Sequence, residues 1–180
     1  MVGRLSLVAA VASLAFIGVP SAGAQQVTKE NVDGVTNFAR LETTVACAGA
    51  TNAKAVPELK KMGFASIINL RVPTEPNANV EEEEAAAKQV GIRYFNIPFN
   101  GQSPDGAVAE TFLNTLLAPG NEPAFIHCGS GNRAAAMWMI KRIAVDHWDT
   151  DKASAEAAAL GLTNATLKQF ALDYGQAHKR

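Results

Sequence analysis

The chain has 180 residues, with 16 basic and 17 acidic side chains and a net charge of −1. The basic residues are scattered and form no stripe, which argues against a nucleic-acid partner. Past its first two dozen residues the length is one domain's worth, enough to bury a full core without a disulfide staple.

Met1 to Arg4 make a short, weakly basic start, and an apolar run at 5–19 follows. Pro20 breaks that run, and Ala22-Gly23-Ala24 has the small-x-small pattern of a cleavage site. The pattern predicts an export signal over 1–24, cut after Ala24. What remains is a single domain over 25–180, periplasmic or secreted. The apolar run falls short of the ~20 residues that span a bilayer, and no second such run follows. No membrane association is therefore expected after cleavage.

Residues 43–48 read as a short strand. A helical stretch over 53–62 carries Pro57 in its first turn and stops at Gly63. An apolar run of strand length occupies 64–70, and 71–79, with Pro73 and Pro76, is a loop. The next helix, 80–90, opens on Glu81 to Glu84, where negative charge suits the helix dipole, and Gly91 ends it. This glutamate run reads as a solvated helix start. A strand at 92–97, a loop at 98–106, a helix at 107–117 and a turn at 119–122 lead to a strand at 123–127. The helix after Arg133 is apolar almost throughout, interrupted only by Lys141 and Arg142, so it should lie buried, with Trp138 and the methionines as core packing. Two further helices, 151–160 and 165–174, flank Gly161. Strands alternating with helices predict an α/β fold with a mostly parallel central sheet flanked by helices. Ligands of such sheets bind beyond the carboxyl ends of the strands.

One segment carries chemistry: His127-Cys128-Gly129-Ser130-Gly131-Asn132-Arg133. The strand delivers Cys128 into four small residues, and Arg133 opens the buried helix. Strand, tight loop and helix start aim successive backbone N–H groups at one spot, an anion site at the positive end of a helix dipole. A cysteine facing that spot is favoured as thiolate, its nucleophilic form. Arg133 adds a planar fork that grips an oxyanion at two points. The candidate site is thus Cys128 as nucleophile, Arg133 as clamp, and Gly129, Ser130, Gly131 and Asn132 as the anion-binding loop. His127 is read as a neighbour that orients the loop through hydrogen bonds. The three histidines are isolated in sequence and no metal-ligand spacing occurs, so neither metal nor other cofactor is expected. Cys47 reads either as a small buried core residue or as a partner that protects Cys128 in a reversible disulfide.

The ordered series Pro57-Glu58-Leu59-Lys60-Lys61-Met62-Gly63-Phe64, Ser66-Ile67-Ile68-Asn69-Leu70-Arg71, Gly91-Ile92-Arg93-Tyr94-Phe95-Asn96-Ile97-Pro98 and His127-Cys128 through Arg133 resembles the dual-specificity branch of the protein tyrosine phosphatases. Within that branch it most resembles the bacterial beta-lactamase-hydrolase-like protein phosphatase domains. The resemblance covers roughly 37–162. It implies a phosphatase-like fold, with phosphate monoesters as substrates and a phosphocysteine intermediate on Cys128. Those phosphatases place five residues between cysteine and arginine, whereas four stand here, and Ala134 stands where Ser or Thr usually follows the arginine. The family's aspartate general acid aligns with Asn100 and Gly101, which leaves Asp105 as the nearest carboxylate, the acid if its loop folds inward and otherwise a solvated turn residue beside Pro104. The shorter loop also resembles that of rhodanese. That likeness implies a sulfurtransferase carrying a persulfide on Cys128, with a sulfur donor as its substrate. A third reading is an exported protein that binds an anion without turnover.

Overall fold

The computed structural model describes residues 26–41 and 44–180; the predicted export signal lies outside the described residues. Six strands form one sheet in the order β1-β2-β3-β6-β4-β5. They are β1 (Val27–Lys29), β2 (Ala39–Leu41), β3 (Val45–Ala48), β4 (Ser66–Asn69), β5 (Arg93–Asn96) and β6 (Ala124–His127). The four strands β3, β6, β4 and β5 run parallel, as the alternation with helices requires. The first two add an antiparallel edge that the sequence did not announce. Three-residue strands are too short to show a period, so their pairing is decided by the sheet they join.

The helices are α1 (Val56–Lys61), entered through a single 3₁₀ turn, α2 (Val80–Val90), α3 (Gly106–Leu117), α4 (Asn132–Ala144), α5 (Thr150–Ala159) and α6 (Ala165–Ala177). Side chains of the parallel strands alternate between two cores. On one face Ala46, Ile67 and Phe125 meet α1 and α2, with Phe38 and Phe64 packed around Phe125 at ring-centroid distances of 6.1 and 5.7 Å. On the other face Cys47, Ile68 and Ile126 meet α3 to α6.

The predicted burial of α4 is complete: every residue from Ala134 to Ala144 is buried. Trp138 is core packing, and its indole N–H donates to Glu156 at 2.7 Å. The two cations that interrupt α4 are neutralised where they lie. Lys141 pairs with Asp146, and Arg142 pairs with both Asp146 and Glu156. Helix α6 reaches α4 through Gly175, where a Cβ would stand 2.9 Å from that of Ile143. Only a residue without one permits this approach.

Candidate active site

In-register pairing sets Ala48, His127 and Asn69 in one row at the carboxyl ends of β3, β6 and β4, with Asn96 of β5 beside Asn69. Cys128 follows at once, and its N–H donates to the carbonyl of Ala48 at 3.2 Å. The loop is held from outside by its carbonyls. That of Gly129 accepts from Ala50 N–H at 3.0 Å, and that of Ser130 accepts from the Asn37 amide at 3.1 Å. With carbonyls turned outward, backbone N–H groups are left for the inside, and Gly131 N–H donates to Cys128 Sγ at 3.1 Å. Gly131 has φ of 98°, in the left-handed region where a side chain is disfavoured. The Asn132 side chain faces away from the loop's interior. Its Oδ1 accepts from the N–H groups of Thr163 and Asn164 at 2.7 and 2.8 Å, tying the start of α4 to the turn before α6.

Arg133 is fixed by three residues on two loops. Its Nη1 donates to the carbonyls of Leu70 (3.1 Å) and Phe99 (2.8 Å), and the two Nη atoms grip Glu75 at 2.6 and 2.8 Å. Burial works to lower the pKa of Arg133. The bonds to Glu75 and the adjacent Cys128 sulfur outweigh that and raise it. Burial likewise works to raise the pKa of Glu75, but the Arg133 guanidinium, the Val72 N–H and Arg71 bring it from 4.5 down to about 2. Glu75 is therefore a fixed negative charge. Its own loop is folded about Arg71, whose guanidinium donates to the carbonyls of Pro76 and Asn77 at 2.6 Å each.

Cys128, Arg133 and residues 129–132 lie together, whereas Asp105 stands on a helix start and His127 turns away from the loop. Asp105 is the N-cap of α3, its Oδ1 accepting from Ala107 N–H at 2.9 Å, and it does not line the cavity in front of Arg133. His127 turns toward α2. Its Nε2 lies 3.0 Å from Oε1 of Glu83 without hydrogen-bond alignment, and its ring stacks on Phe125. Glu83 also corrects the reading of the glutamate run as wholly solvated. It is 1 % exposed, accepts from the Asn69 amide at 2.9 Å, and meets the hydroxyl of Tyr94 at 3.3 Å. Burial first, and then the Glu83 charge, push the Tyr94 pKa up.

Sequence reasoning missed Glu75 and Glu83. Glu75 left one faint trace, a lone carboxylate in the proline loop after a strand whose end faces the cysteine. Cys47 is buried and free, as is Cys128, and burial first, then its neighbours Cys128 and Glu156, push the Cys47 pKa up. Among the described residues, no cluster of three or more His, Cys, Asp or Glu is placed to hold a metal ion.

A mostly parallel sheet with a cysteine loop feeding a buried helix, and an arginine beside the thiol, makes a phosphatase-like fold. More narrowly, the chain belongs to the family described as beta-lactamase hydrolase-like protein, phosphatase-like domain, whose model matches residues 37–145. No curated protein matches the chain in sequence. Among solved structures it is similar to TpbA of P. aeruginosa, at 21 % identity and a TM-score of 0.64, over 87 % of this chain and 92 % of that one. It is also similar to the core catalytic domain of the PP-IP phosphatase SIW14 from S. cerevisiae, in complex with citrate. That match has 20 % identity and a TM-score of 0.64, over 80 % and 88 % of the two chains. A TpbA variant in complex with pTyr matches at 20 % identity and a TM-score of 0.60, over 89 % and 91 %.

Proposed function

We propose that the chain is an exported, cysteine-dependent phosphatase that hydrolyses phosphate monoesters through a phosphocysteine on Cys128. One observation carries the reading: the buried Cys128 sulfur accepts the Gly131 N–H at 3.1 Å, within a loop that ends at the Arg133 fork. Arg133 bonds oxygens of Leu70, Phe99 and Glu75, three times through Nη1 and once through Nη2, and it also bonds the Cys128 sulfur, which puts guanidinium donors beside the nucleophile where phosphoryl oxygens would lie. The thiolate attacks phosphorus, and Arg133 and the loop N–H groups bind the equatorial oxygens. The leaving oxygen takes the P–O electron pair, and water then displaces the sulfur to release phosphate. Glu75 touches no reacting atom in this scheme and acts by positioning Arg133. The pTyr complex of the P. aeruginosa neighbour supports an aryl phosphate as a candidate substrate. The leader pattern of residues 1–24 supports export, and residues 25–180 form the catalytic domain of this reading.

A second reading, sulfur transfer, is favoured by one feature, the four-residue spacing between Cys128 and Arg133. Parallel turnover of an aryl phosphate and of thiosulfate with cyanide separates the two. Phosphate release that disappears in Cys128→Ser is the expected result. Thiocyanate formation with negligible phosphate release would reverse the assignment.

A further inference from the structure

The loop that follows β5 arches over the clamp. A Cβ on Gly101 would lie 3.4 Å from Cγ of Arg133, and Asn100 and Gln102 line the same cavity as Glu75. A group that protonates a departing oxygen must stand within hydrogen-bond reach of it, and this loop and the one that bears Glu75 supply much of the cavity beside Arg133. Neither loop offers a carboxylic acid. Asn100 is an amide whose Oδ1 accepts from Gln102 N–H at 3.0 Å. Asp105 is exposed and caps α3. Glu75 is the one carboxyl group among the described residues lining the cavity, and its bidentate bond to Arg133 holds it ionised. The remaining polar groups there, on Thr74, Ser130, Asn132 and Asn164, are hydroxyls and amides that release no proton near neutral pH.

We infer that the protein gives no proton to the leaving group, so its substrates are phosphoryl compounds whose leaving group departs as a stable anion. These are phosphoanhydrides, acyl phosphates and esters of acidic phenols, as against alkyl monoesters. The inference rests on the phosphatase reading of the site. In the first step the S–P bond forms and the P–O bond breaks, and the oxygen keeps the electron pair and leaves as phosphate, carboxylate or phenolate. In the second, water attacks phosphorus, the S–P pair returns to sulfur, and the water's protons go to the released phosphate and to solvent. No oxidant, reductant or further reactant is required. Arg133 and the loop stabilise the transferring phosphoryl group whichever leaving group it carries, so discrimination falls on the acidity of the leaving group alone.

The test measures kcat/KM of the wild-type chain and of Asp105→Asn on aryl phosphates whose phenols span pKa ~4 to ~10. Acetyl phosphate, pyrophosphate and glycerol phosphate are run beside them. A fall of at least ~10² from the most to the least acidic phenol is expected, since a positioned acid ordinarily contributes ~10²–10⁴ at the poor end. Acetyl phosphate or pyrophosphate should turn over and glycerol phosphate should not, with the faster of the first two naming the natural class. The Asp105→Asn profile should superimpose on the wild type. A profile flat to within about tenfold, glycerol phosphate turnover comparable with that of the aryl esters, or a loss confined to poor phenols in Asp105→Asn would overturn the inference while leaving a phosphatase. Failure to hydrolyse even the most acidic aryl phosphate would instead remove the phosphatase reading on which it stands.

Discussion

Glu75 and Arg133 form a pair whose strength can be read from titration. Glu75 receives two charge-assisted bonds from Arg133 at 2.6 and 2.8 Å, a third from Arg71 Nε at 3.2 Å, and the Val72 N–H at 3.0 Å. Moving its pKa from 4.5 to about 2 corresponds to a ceiling of roughly 3 kcal/mol, at about 1.4 kcal/mol per tenfold change in proton affinity. The side chain is 27 % exposed, so solvent screening brings the expected contribution to about 2 kcal/mol. Because the folded-state pKa is the lower one, this stability is fully present above pH 4.5 and is lost as pH falls toward 2. Glu75→Gln removes the charge but keeps the shape, so the variant should unfold about 2 kcal/mol more easily at pH 7. The gap should shrink by roughly a quarter at pH 4 and by more than half at pH 3. Urea unfolding of both proteins at those three pH values measures it. A gap below about 0.5 kcal/mol at pH 7, or one that widens on acidification, would refute the argument.

Cys128→Ser should abolish phosphate release while retaining the fold, because a hydroxyl in the same loop stays protonated and is a far weaker nucleophile; residual turnover in a clean preparation would remove Cys128 as the nucleophile. Arg133→Lys should lose ~10² or more in kcat/KM, since one ammonium cannot bond Glu75, two carbonyls and a phosphoryl group from fixed directions; kinetics within a few-fold of wild type would refute the clamp. Glu83→Ala, remote from the cavity, should cost about 1–3 kcal/mol by leaving the buried Asn69 amide and Tyr94 hydroxyl short of an acceptor, and a loss below about 0.5 kcal/mol in thermal or urea unfolding would mean that water replaces the carboxylate.

The features that were legible in the sequence are local ones. Ala124 to Ile126 is a continuous apolar run because β6 is buried on both faces. The small residues after Cys128 are there because backbone N–H groups have to turn inward around the sulfur. Both requirements act within a few positions of one another, so both leave a mark in the order of residues. Glu83 leaves no such mark. Glu81, Glu82, Glu83 and Glu84 have the same chemistry, and only the seating of α2 against β4 and β5 decides which of the four is buried against Asn69 and Tyr94. The same limit hid Glu75, whose partner is 58 positions away. For Asp105 the sequence offered two readings, a catalytic acid and a solvated turn residue, and the structure gives it a third role as a helix cap. A residue that precedes Gly106-Ala107 and the apolar stripe of α3 has the position of an N-cap, and the local demand prevailed over the distant one.

The loop's short spacing can be understood from how its surroundings hold it. With four residues between Cys128 and Arg133, the chain has little slack to bring N–H groups and guanidinium to one point. The structure supplies the constraint from three sides. The Asn37 amide and the Ala50 N–H draw the Ser130 and Gly129 carbonyls outward. Asn132 accepts two N–H groups from the turn before α6, which fixes the first residue of α4. The carbonyls of Leu70 and Phe99, together with Glu75, set the plane of the guanidinium. None of these contacts needs to touch a substrate. Their common effect is that loop N–H groups, helix start and guanidinium edge are aimed at one point before any phosphoryl group arrives, so little reorganisation is left for the reaction to drive. On the proposed phosphatase reading, a site organised this way stabilises charge on the transferring group and offers nothing to the leaving group, so the expected strength toward good leaving groups and weakness toward poor ones would have one structural origin.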